Sequence, residues 1–175
     1  MRRRRGLALL LAVGAVTLSG CGADEEPGDG TSARAAKERV DGVVRALIGA
    51  ERARPGAHVR AGTLVRGEGS FTRCGLGAGS RQYVARVAVS SPAKGSSLAR
   101  LRSVLEDRGF EVNDRDGELV AHDATDVTAV VYPRTPVSAT PGLSMVRFSG
   151  SSPCVRYGDA DVDVADGAGS TDYSH

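Results

Sequence analysis

Between Ala36 and Tyr132 the apolar residues recur first at steps of three and four, then at steps of two, and then repeat that change. A chain with this rhythm must alternate helix with strand, because a helix repeats every ~3.6 residues and a strand every second one. Ala36, Val40, Val43, Val44, Leu47 and Ile48 mark the first amphipathic helix, with Lys37, Glu38, Arg39, Asp41 and Arg45 between them. Thr31 or Ser32 offers an N-cap, and Pro55-Gly56 stops the helix after Arg54. We expect its apolar stripe to pack on the domain's own sheet rather than on a membrane or a partner helix.

His58 to Thr72 reads as irregular, with a short strand around Val59 to Val65. Gly75-Leu76-Gly77-Ala78-Gly79 is too incomplete for a dinucleotide fingerprint: Ser80 stands where the third glycine belongs, and a strand follows instead of a helix. We read it as a turn. Tyr83, Ala85, Val87 and Val89 alternate with polar residues and predict a strand. Ser96 or Ser97 caps a second helix lined by Leu98, Leu101, Val104 and Leu105, and Gly109 ends it. Phe110 and Val112 begin a strand, and Asn113 to Gly117 forms a hairpin turn that returns through Leu119 to Ala121. Further strands are expected over Asp126 to Tyr132 and Leu143 to Ser149, separated by a loop from Pro133 to Gly142. This order predicts an α+β domain over residues 31–156, with a largely antiparallel sheet of about four to five strands covered by two helices. Its core is drawn mainly from Val, Leu and Ala. Residues 157–175 are polar, with Asp159, Asp161, Asp163 and Asp166, and read as a disordered acidic tail.

The chain begins with Arg2 to Arg5, a short apolar segment from Leu7 to Val16, and then Leu18-Ser19-Gly20-Cys21. The apolar run is shorter than the ~20 residues a membrane span needs, so residues 1–20 read as an export signal. Leu18-Ser19-Gly20-Cys21 resembles the lipobox of bacterial lipoproteins. The resemblance implies that Cys21 becomes the mature N-terminus and carries a diacylglyceryl thioether, with acyl chains such as palmitate. Residues 21–30, including GADEEPGDG, then read as a flexible tether. Lys37 and Lys94 are the only lysines among 23 Lys+Arg. With abundant Ala, Gly and Val, this composition resembles that of small actinomycete envelope lipoproteins. The implied address is the extracytoplasmic face of the cell membrane.

With Cys21 lipidated, Cys74 and Cys154 remain, and an exported chain pairs such a remainder as a disulfide. Closing a loop of about 80 residues constrains the unfolded chain by roughly 4 kcal/mol. Loss of Arg2 to Arg5 removes four cations and no acid, taking the net charge from +2 to −2. A nearly neutral domain gives no basis for nucleic-acid binding, and suggests little attraction to anionic headgroups.

No reactive constellation stands out. His122-Asp123 at a strand end, His58 and His175 lack a partner nucleophile in a G-x-S-x-G setting. Asp114, Asp116 and Gly117 imitate part of a calcium loop, but Val112 occupies the first ligand position. We therefore expect no metal, no cofactor and no catalytic residue. The expected function is binding or scaffolding, with the membrane and an envelope protein or wall component as partners. An envelope hydrolase assembled from scattered residues and a small-ligand or lipid carrier are the alternatives.

Overall fold

The computed structural model describes residues 32–54, 63–75, 80–92, 97–157, 161, 164–165 and 169–174. The signal, the tether and Cys21 lie outside them. Helix α1 spans Ala33–Arg52, and the Ser32 hydroxyl accepts from the Ala35 N–H at 3.1 Å, as an N-cap should. Helix α2 spans Leu98–Glu106. Ser97 holds its N-cap position without a side-chain capping bond. At its far end Gly109 takes φ +80°, and the Phe110 N–H returns to the Leu105 carbonyl.

Among the described residues nine strands build one antiparallel sheet: β1 Leu64–Arg73, β2 Ser80–Ser91, β3 Glu111–Arg115, β4 Glu118–His122, β5 Thr128–Val131, β6 Thr135–Pro136, β7 Ser144–Ser151, β8 Val155–Arg156 and β9 Thr171–Asp172. Their order is β3-β4-β5-β7-β2-β1-β9, with β6 beside β7 and β8 beside β2. The α+β class and the antiparallel sheet are as expected, but the strand number is not. Three of the additional strands are two residues long, too short to show a period.

The other difference is β1, expected to be mostly irregular and in fact ten residues long. Its core-facing positions read Val65, Gly67, Gly69 and Phe71, so the alternation is hidden by two residues without side chains. Gly69 has a steric reason. A Cβ there would stand 2.2 Å from the Tyr83 hydroxyl, so only glycine lets that ring cross β1. The β3–β4 hairpin follows expectation, with Asp116 at φ 53° and Gly117 at φ 84°.

Helices α1 and α2 pack on one face of the sheet. Val40, Val43, Val44, Leu47 and Ile48 of α1 and Leu101 and Leu105 of α2 meet Ala85, Val87, Val89, Leu119, Ala129, Val131, Val146 and Phe148. The expectation of a disordered tail needs correction at the described residues of 157–174. Tyr157 is buried and edge-on to Phe71, and Ala165 packs with Ala33 and Ala36. Further on, β9 pairs with β1 through Glu68 and Gly69, and Tyr173 is only 2% exposed. A polar composition concealed the two side chains that bury here, Thr171 and Tyr173, because their acceptor lies far away on α1. Among the described residues no helix is long and apolar enough to cross a membrane.

Candidate functional site

Cys74 and Cys154 form the expected disulfide, with Cα atoms 5.8 Å apart. It ties the end of β1 to the residue before β8, and both strands flank β2. The expected lipidation site, Cys21, lies outside the described residues, as do His58 and His175. His122 Nδ1 is 3.0 Å from the Thr128 hydroxyl. Its neighbour Asp123 instead caps the following loop, accepting from the Thr125 N–H, the Thr125 hydroxyl and the Val127 N–H. The two residues are thus engaged with separate partners. Asp114 pairs with Arg102 of α2, whose guanidinium also donates to the Val112 carbonyl at 3.0 Å. Among the described residues no group of three or more His, Cys, Asp or Glu could hold a metal ion.

Two acids missed as functional candidates lie between α1 and the sheet. Asp41 Oδ1 accepts from the hydroxyls of Tyr83, at 2.9 Å, and Tyr173. Its Oδ2 accepts from the Lys37 ammonium at 2.6 Å and from the Thr171 hydroxyl at 2.9 Å. Lys37 also donates to Thr171 and sits 5.4 Å from the centre of the Tyr83 ring. Burial alone pushes the Asp41 carboxyl up, but the bonds from Lys37, Tyr173, Tyr83 and Thr171 outweigh it and hold the group below the ordinary aspartate value. Burial pushes the Tyr83 phenol up to about 12, with Asp41 adding to the rise. Tyr173 is raised by burial and by Asp41 as well. This cluster clasps the C-terminal strand to the first helix.

Glu51, fully buried near the C-terminal end of α1, receives Arg134 and Arg54 on Oε2. Arg134 also donates to the Ser91 hydroxyl at 3.2 Å and to the carbonyl and hydroxyl of Ser144. It joins the loop after β5 to the ends of β2 and β7. The sequence does carry a signal for both acids. Asp41 lies three before Val44 and seven before Ile48, and Glu51 lies four after Leu47, so both continue the apolar stripe.

Among the described residues, the opposite face of the sheet carries no helix. Register places Arg66, Ala88 and Arg147 in one row across β1, β2 and β7. Glu68, Arg86, Ser149, Val130 and Val120 make the next row, and Leu64, Ser90 and Met145 the row on the other side. Arg66, Arg86 and Arg147 are all exposed. They line a surface groove of about 420 Å³ with Tyr132 and Ser149, and the Arg147 guanidinium lies 5.5 Å from the centre of the Tyr132 ring. Arg66 and Arg86 also border a second groove, of about 630 Å³, which reaches Asp172 and Ser174 beside β9. Guanidinium groups presented on a rigid sheet can hold phosphate or carboxylate oxygens through paired N–H bonds. Comparison with protein families, curated proteins and solved structures finds no match to this chain.

Proposed function

We propose that the chain is a lipid-anchored protein on the extracytoplasmic face of the cell membrane that works by binding rather than by catalysis. The observation that carries the binding reading is the sheet face opposite α1 and α2, where Arg66, Arg86 and Arg147 share one groove. Leu18-Ser19-Gly20-Cys21 supports the anchor, and two or three acyl chains on Cys21 hold a domain stably at a bilayer where one would not. The Cys74–Cys154 bond suits an oxidising compartment. The acidic residues 22–30 then separate lipid from domain.

Intact-mass analysis of the chain recovered from membranes tests the anchor. The expected product begins at Cys21 and carries a diacylglyceryl thioether, while a bare Cys21 in the processed chain contradicts the reading. Crosslinking in intact cells to a single envelope component would support scaffolding. Hydrolysis of a wall or lipid substrate by the purified chain would refute it.

A further inference from the structure

We propose that the arginine-bearing face of the sheet docks on an anionic phospholipid surface. The inference rests on the anchor reading, since Cys21 and the eleven residues to Ser32 hold the domain within about 40 Å of the bilayer, and it names the partner of the open face. Arg66 and Arg147 stand two strands apart in one row, about 10 Å at the usual strand spacing. Arg86 is displaced two residues along β2, roughly 7 Å. Three guanidinium groups are thereby spread in a triangle, free to meet separate headgroup phosphates.

Charge alone does not distinguish a bilayer from a soluble polyanion. Leu64 does. It is the exposed large hydrophobic residue among those described, at 45%, and it lies in the row beside Arg66, a row that also holds Ser90 and Met145. Tyr132 stands next to Arg147. An aliphatic side chain, an aromatic ring and arginines on one rim suit the zone between headgroups and acyl chains. A soluble polymer would use the arginines and leave Leu64 without a role. Glu68 faces Arg86 across the β1–β2 pair, and Asp172 lies at the β9 edge, so attraction is moderated and the free domain binds weakly. The tether supplies the high local concentration that makes a weak face effective. The near-neutral net charge had suggested little attraction to headgroups, but it averages over the molecule, whereas register gathers these arginines on one side.

The chain from residue 21 onward carrying Cys21→Ser contains every described helix and strand and separates the face from the anchor. It should cosediment with phosphatidylglycerol vesicles in preference to phosphatidylcholine vesicles, and high salt should release it. Arg66→Gln, Arg86→Gln and Arg147→Gln should each lower the partition about fivefold. Leu64→Ser should lower it too, with near-ultraviolet circular dichroism unchanged in all four variants. Equal binding to both vesicles, or binding indifferent to the triple arginine substitution, overturns the proposal. So does arginine-dependent capture of soluble polyphosphate without vesicle binding. A bare Cys21 in cells with vesicle binding intact would sink the anchor and leave the face standing.

Discussion

The two sides of the sheet treat charge in opposite ways. Toward the helices, Asp41 and Glu51 are withdrawn from water and held by donors from distant segments, among them Tyr83, Tyr173 and Arg134, with Lys37 one turn away on α1. Toward solvent, Arg66, Arg86 and Arg147 stand together in shallow grooves. A buried carboxylate that loses its partners is costly, so the first set reports on folding. Exposed arginines contribute little to stability, so the second set is free to report on recognition.

Breaking the covered side gives the largest effect. Asp41→Ala strands the hydroxyls of Tyr83 and Tyr173 and should cost about 3 kcal/mol in denaturant unfolding, near the lower bound for a broken buried pair. The lower bound applies because Lys37 keeps 22% of its side-chain exposure. Gly69→Ala forces the Tyr83 ring aside and should cost about 1–3 kcal/mol in the same measurement. Tyr173→Phe removes one donor of several and should cost about 1 kcal/mol. It should also raise amide exchange in β9 before the rest of the sheet. Substituting all three open-face arginines by Gln should shift stability by no more than about 0.5 kcal/mol per site.

Titration sharpens the same contrast. The Asp41 carboxyl is depressed in the folded chain, so its contribution is present above the ordinary aspartate value near 4 and is lost as the pH falls through the lower folded value. Asp41→Asn should flatten that acid limb of the unfolding profile. The Tyr83 phenol is raised to about 12, so stability holds below the ordinary tyrosine value near 10 and declines as the pH rises toward 12. Tyrosinate absorbance, compared with that of Tyr83→Phe, measures the shift.

The elements with strong periods were legible in the sequence. The α1 stripe, the β2 alternation and the Asp116-Gly117 turn announced themselves, because one residue pattern decides each. What escaped depends on contacts across long separations. β1 hid behind Gly67 and Gly69, whose lack of side chains makes room for residues of β2. The C-terminal strand hid because the polar composition gave no hint that Thr171 and Tyr173 find their acceptor 130 and 132 residues away. Asp41 and Glu51 could have been found as acids standing within an apolar stripe. The open face could not: the arginines at 66, 86 and 147 become neighbours only when the register of three strands is known.

The chain has no tryptophan, so one introduced ring can report which side meets a bilayer. Leu64→Trp places it on the rim of the open face, and Arg39→Trp on the exposed surface of α1. With phosphatidylglycerol vesicles, emission from the Leu64→Trp chain should shift to the blue while that from Arg39→Trp stays where it is in buffer. A blue shift from Arg39→Trp alone, or the same response from both, would contradict the division between a covered side that holds the fold and an open side that meets lipid.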